Sequence, residues 1–160
     1  MSRDHYRLGM SIYGFHQRVA CYVTRVGAEG RELLVFEHVD DDPTDPSGVQ
    51  VPAGGMKRFE SIQDAAHREL EEETGLMGAT FVGQLGGVEA GLDEPGGPSM
   101  TTFVHLWAPD DVEARWDHVV HGDDNDADLG MRYECRWEPL PLKVKLAAGQ
   151  DAFLHKVPAH

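Results

Sequence analysis

Short bursts of β-branched and aromatic residues recur along this chain, separated by polar segments rich in Gly, Pro and Asp. Such bursts predict strands. Arg18 to Val26 (RVACYVTRV) is the first, and Glu32 to Val39, with LLVF at its centre, is its hairpin partner across the GAEG turn. Asp40 to Gly48 (DDDPTDPSG) is a loop by composition, and its three adjacent aspartates read as a solvated turn rather than a metal site. Val49 to Pro52 is a short strand. The period then changes: Ile62, Ala65, Ala66 and Leu70 fall three and four residues apart, on one face of a helix. Ser61 caps its start, with Asp64 three residues on, and Gly75 stops it. Ala79 to Gly86 and Thr101 to Ala108 are strands around a loop at Gly87 to Met100. Pro109 to Gly130 is one long polar loop. Met131 to Pro139 is the last strand. Leu142 to Val157 is a second helix, anchored by Leu142, Leu146, Phe153 and Leu154. Met1 to His16 supplies either an edge strand or a lid. This order predicts an α/β fold with a mixed β-sheet between helices.

A chain of 160 residues with 41% apolar and 8% aromatic content suits one domain, 1–160, with a full core. No apolar run is long enough to span a membrane, and MSRDHYRLGMSIYGFHQRVA lacks the apolar region of a secretory signal. Cys21 and Cys135 fall inside predicted strands, where small buried thiols are expected rather than a disulfide or metal site. A cytoplasmic location follows. The net charge of −14 disfavours non-specific binding to nucleic acid. It also repels polyphosphates unless cations neutralise the site, which fits a metal-dependent enzyme for small nucleotides.

Charge is concentrated on the first predicted helix. Glu69, Glu72 and Glu73 share one face and Glu71 points elsewhere. Three carboxylates this close repel one another unless a cation lies between them. Hard divalent cations prefer such oxygen donors, often together with substrate phosphate. Gly54 and Gly55 stand just upstream and permit backbone conformations that other residues resist. The DDNDAD run from Asp123 to Asp128 does not match a calcium loop, since Leu129 and Cys135 occupy the expected glycine and glutamate positions. His118 and His121, spaced HVVH, lack the Glu of a zinc helix.

Gly54, Glu60, Arg68, Glu69, Leu70, Glu72, Glu73, Gly75 and Leu76 fill every fixed position of G-x5-E-x7-R-E-U-x-E-E-x-G-U, where U is a bulky aliphatic residue. Chance would match all nine in on the order of one window in 10⁹ to 10¹⁰. The segment resembles the Nudix box. Pro52-Ala53-Gly54-Gly55 resembles the family's Pro-Gly-Gly entry, with Ala53 a departure, and Trp137 in RWEPL resembles the late strand that closes the fold.

The resemblance implies a Nudix-like α/β/α sandwich, with the box helix packed on the mixed β-sheet, that hydrolyses a nucleoside diphosphate linked to a group X. It implies Mg²⁺ or Mn²⁺ as cofactor on Glu69, Glu72 and Glu73. Glu60 either ligates a second ion or holds Arg68, and Arg68 pairs with Glu60 or Glu72. Gly54, Arg68 and Gly75 are the structural members of the box. One further acidic residue from outside the box is expected as ligand or base. Glu134 is the first candidate, against the reading of a surface strand residue; Glu113 and the Asp123 to Asp128 run follow. Lys57, Arg58, Arg18 and Arg132 are candidates for phosphate, and Tyr133, Phe103 and Trp107 for a base. The partner expected is a small nucleotide, with neither membrane nor nucleic acid; a homodimer is left open. No Tyr occurs between Leu76 and Tyr133, Pro95 and Pro98 lie too far along for an ADP-ribose marker, and coenzyme A and NADH markers are missing. Ordinary or modified nucleoside triphosphates are therefore the first expectation, followed by nucleotide sugars, ADP-ribose and diadenosine polyphosphates. A nucleotide sensor without catalysis and an isomerase of isoprenoid diphosphates are the readings outside this class.

Overall fold

A computed structural model describes residues 16–91, 97–123 and 127–158. Most of the reading of 1–16, and 124–126 within the acidic run, lie outside the described residues. The elements are β1 (His16–Gly27), β2 (Gly30–His38), β3 (Ala53–Gly55), α1 (Ile62–Thr74), β4 (Thr80–Ala90), β5 (Ser99–Trp107), β6 (Arg115–Val119) and β7 (Arg132–Pro139). One sheet runs β4-β5-β1-β2-β7-β6, with β3 paired to β1. β1 and β5 are parallel and the other pairs antiparallel, so the sheet is mixed as expected.

The apolar bursts of β1 and β2 are buried on both faces, as central strands require. Val19, Cys21, Val23, Leu34 and Phe36 pack with Ala65, Ala66 and Leu70 of α1. Ala20, Tyr22, Leu33 and Val35 pack on the opposite face with Leu146 and Val157. Cys21 and Cys135 are free and buried. Among the described residues no helix is long and apolar enough to cross a membrane.

The feature that positions the site is a splay. β1 and β2 pair from Thr24–Leu33 to Gly27–Gly30. Beyond that, β3 replaces β2 on β1, matching Arg18, Val19 and Ala20 with Gly55, Gly54 and Ala53. Phe36 of β2 bonds both ways with Gln50. The segment from Val49 to Gly55 is thus wedged between the two strands, and the loop into α1 starts inside the sheet.

Three expectations are corrected. β4 continues through Gly87 to Ala90, into the supposed loop, with register shifts between Phe81 and Gly83 and between Gln84 and Gly86. Gly86 is there because a Cβ would lie 2.3 Å from the Phe153 ring, which marks close packing rather than a turn. β6 lies within the supposed loop from Pro109 to Gly130. The second helix does not form. Leu142 to Val157 contains only two 3₁₀ turns, Ala147–Gly149 and Leu154–Lys156, and Ala148 and Gly149 have φ of 55° and 69°. Its anchors still pack on the second face, because the backbone bonds across to the wedge: Ala147 N–H donates to Val49 O at 2.8 Å. The second layer is an irregular strap, and α1 is the one α-helix among the described residues.

Candidate active site

The helix ends are built as the residues dictate. Ser61 accepts from Asp64 N–H at 3.0 Å, and Gly75, in the left-handed region, returns its N–H to Glu71 O. Between them Glu69, Glu72 and Glu73 are 6%, 7% and 5% exposed, which is rare for carboxylates and demands compensation. Arg68 supplies part of it. Its Nε and Nη2 form a two-pronged pair with Glu60 at 2.7 and 2.9 Å, Nη1 reaches Glu69 at 2.8 Å and Glu72 at 3.1 Å, and Nη2 also bonds Gly55 O at 2.8 Å. Burial alone would lower the Arg68 pKa, but its carboxylate partners raise it. Burial would likewise raise Glu60, yet Arg68 and the Lys57 N–H hold it below the ordinary range. Both Glu60 oxygens are engaged in this way. Of the two roles left open for Glu60, the geometry supports holding Arg68; of the two partners left open for Arg68, it has both.

Glu73 is held differently. Ala53 N–H donates to its Oε1 at 2.7 Å. Burial first, then a hydrogen bond with Asp128 and the charge of Glu69, push its carboxyl well above the ordinary range. Asp128 also accepts from Tyr133 Oη at 2.9 Å. Gly54 makes room for the cluster, since a Cβ there would lie 2.3 Å from the Glu69 carboxyl carbon.

One cavity adjoins this cluster, and a second adjoins the first. The first, of about 310 Å³, is lined by Glu73, Asp128, Tyr133 and His38. The second, of about 260 Å³, is lined by Phe103, Val88, Ala20 and Ala90. Arg18, Ala53 and Gln150 line both and form the waist between them. Larger space exists elsewhere, about 550 Å³ beyond the end of α1, but none of the box carboxylates lines it.

The predicted residues divide accordingly. Arg18, Phe103 and Tyr133 reach the cavities; Phe103 and His105 face away from α1, while Val104 and Leu106 face it. Lys57 stands over the cluster, 2.7 Å from Asp123 and 4.0 Å from Glu72. Arg58 is exposed on the box loop. Arg132 is turned outward, 3.9 Å from Asp40. Trp107 stacks under Arg31. Glu134 is not brought to the cluster. Tyr133, Cys135 and Trp137 of β7 face α1, so alternation turns Glu134 to the other side, where it pairs with Arg115 of β6. The outside carboxylate beside the box is Asp128, from the run ranked below Glu134. His118 and His121 are engaged at the helix end, not arranged as ligands: His118 Nε2 and His121 N–H both donate to Glu72 O, at 3.0 and 3.1 Å. Gln150 carried no sequence signal, being one polar residue in a supposed helix.

A divalent cation suits this donor set. The acceptors are all oxygens, and three carboxylates lie buried on one face of α1. Among the described residues no three acidic, His or Cys side chains close around one point, because Glu69 and Glu72 are turned toward Arg68.

Comparison with known proteins gives the family and the fold. The family model described as NUDIX domain matches residues 14–155. Diphosphoinositol polyphosphate phosphohydrolase 3-alpha of Homo sapiens is 32% identical over 107 residues, covering 67% of this chain and 59% of that protein, so this chain matches less than two thirds of that relative. The NUDIX domain of Shewanella oneidensis NrtR, crystallised with ADP ribose, superposes with a TM-score of 0.62 over 89% of this chain and 86% of that one, at 16% identity. The Nudix hydrolase RenU of M. smegmatis superposes with a TM-score of 0.56 over 92% and 90%, at 16% identity. At such identities these two structures speak for the fold alone.

Proposed function

This chain belongs to the Nudix family, and from that membership we propose that it is a divalent-metal-dependent pyrophosphohydrolase whose substrate is a nucleoside triphosphate, ordinary or modified. The observation that carries this reading is the buried face of Glu69, Glu72 and Glu73 beside a cleft that Arg18 lines.

Glu69, Glu72 and Glu73 would hold Mg²⁺ or Mn²⁺. Bound there, the ion would neutralise phosphate charge and lower the pKa of water. The chain's own groups do the positioning on which phosphoryl transfer depends. Arg68 fixes Glu69 and Glu72 by charge-assisted bonds while Glu60 and Gly55 O fix Arg68. Ala53 N–H orients Glu73. Asp128 takes the place for which Glu134 is the first candidate by sequence, as ligand or base; its contact with Glu73 supports this. Arg18 and Lys57 meet the phosphate chain, and the nucleoside lies across the waist near Phe103.

The human relative's name points to diphosphoinositol polyphosphates. A densely phosphorylated ring needs a cluster of cations, whereas the cavity beside Glu73 sets Arg18 and His38 against Glu73 and Asp128. That balance favours a substrate with few phosphates and an uncharged body.

The test is a panel of triphosphates, 8-oxo triphosphates, ADP-ribose, nucleotide sugars, diadenosine polyphosphates and a diphosphoinositol polyphosphate, with Mg²⁺ or Mn²⁺ and products read by chromatography. A triphosphate should be turned over best, EDTA should abolish turnover, and Glu72→Gln and Glu73→Gln should each lose at least about 100-fold. Wild-type turnover in both variants, or none with any triphosphate, overturns the proposal.

A further inference from the structure

At the waist between the two cavities the chain offers mainly donors. Gln150 Oε1 accepts from Val51 N–H at 2.8 Å. A backbone N–H can only donate, so the amide cannot be flipped: oxygen faces Val51, and the NH₂ is the group left for the cavities. Among the described residues that NH₂ makes no hydrogen bond. Arg18, the other polar side chain common to both cavities, carries five donors and no acceptor. The cavity beyond is walled by small and apolar groups, with Ser99 and Thr101 as its hydroxyls. A flat, mostly apolar body therefore fits there only if the edge it turns to the waist carries acceptors.

Purines differ on that point. Guanine and hypoxanthine present two acceptors on one edge, N7 and O6, whereas adenine presents N7 and an amino donor. A glutamine that turns both amide ends to the base can satisfy adenine; Gln150, whose oxygen is turned to Val51, turns its NH₂ donor to the waist, which matches O6 and opposes the adenine amino group. Resting on the nucleotide reading above, we infer that Gln150, with Arg18 beside it, is a specificity-determining residue that selects 6-oxopurine nucleotides over 6-aminopurine nucleotides.

The pair ITP and ATP tests this, since the two differ only around C6. Wild type should favour ITP and GTP over ATP by about tenfold, carried by KM with similar kcat. Gln150→Glu keeps an acceptor for Val51 N–H and replaces the donor by an acceptor, so the ITP to ATP preference should vanish or invert. Gln150→Met removes the donor without adding charge and should level the two. Thermal melting confirms that each variant is folded. Calorimetric binding of IMP and AMP gives the same comparison without turnover: IMP should bind about tenfold tighter to wild type and lose that advantage in Gln150→Glu. If no triphosphate is hydrolysed but the IMP preference holds and depends on Gln150, the activity reading fails and this inference stands. If IMP and AMP bind alike, or Gln150→Glu leaves the ratio unchanged, the inference falls whatever is hydrolysed.

Discussion

At Glu73, burial, the bond with Asp128 and the charge of Glu69 all favour the protonated carboxyl, against the single Ala53 N–H that favours the charge. The folded-state pKa is therefore above the unfolded one. Below the ordinary Glu range both states hold the proton. As pH rises the unfolded chain ionises first, and the native protein loses stability until its own pKa is passed. In EDTA the melting temperature of wild type should thus fall relative to Glu73→Gln as pH rises above the ordinary glutamate range, and Mg²⁺ should shrink the gap. A gap independent of pH would show that Glu73 titrates as an ordinary carboxyl. Gly54 tests the same cluster from the backbone. The group that an alanine Cβ would strike is the far end of the Glu69 side chain rather than backbone, so the strain falls on its bond with Arg68 and not on the sheet. Gly54→Ala should lower the melting temperature by no more than about 5 °C. Displacing that carboxylate should still cost at least about tenfold in kcat. Equal losses in stability and activity would mean that the glycine serves the fold and not the site.

The helix that carries these carboxylates ends against β6. Its last carbonyls have no partner inside the helix. Glu72 O is met by His118 and His121, and Thr74 O by Trp116 Nε1 at 2.7 Å. Because a carbonyl only accepts, His118 carries its proton on Nε2, and burial lowers its pKa against the pull of that carbonyl. Trp116→Phe keeps an aromatic but smaller ring and deletes one donor, so it should cost at least about 1 kcal/mol of stability and weaken Mg²⁺ affinity through the loosened end of α1, read by melting and by metal titration of turnover. An unchanged metal requirement would confine β6 to stability. None of this was legible beforehand, for a definite reason. The box helix announces itself by local signals: periodicity, the Ser61 cap and the Gly75 stop. RWDHV has only Trp116 and Val119 as apolar positions and reads as loop, because what makes it a strand is its pairing with β7. The outside carboxylate failed likewise. Whether Glu134 faces α1 or solvent depends on which alternate set of β7 packs inward, a choice made by the whole sheet. The strap from Leu142 to Val157 had the right anchors in the wrong conformation, since spacing does not tell a helix from a chain that bonds to Val49.

Over the whole molecule, 28 acidic residues face 14 Lys and Arg, and the substrate proposed is an anion. Few bases stand at the cleft: Arg18 at the waist, with Lys57 and Arg58 on the box loop and Lys57 already paired to Asp123. The remaining acidic surface repels a nucleotide at distances beyond contact, an effect cut by salt within about 8 Å at physiological ionic strength. An enzyme that steers its substrate by a basic patch loses kcat/KM as salt is added. Here the sign should be reversed. At saturating Mg²⁺, kcat/KM should rise by roughly twofold to fivefold between about 0.01 and about 0.15 M ionic strength. Turnover at saturating substrate should stay constant, because the groups that position the phosphates are in contact and little screened. A fall with salt would mean that Arg18, Lys57 and Arg58 dominate the field at the mouth despite the net charge of −14, and the acidity of the chain would then belong to solubility alone.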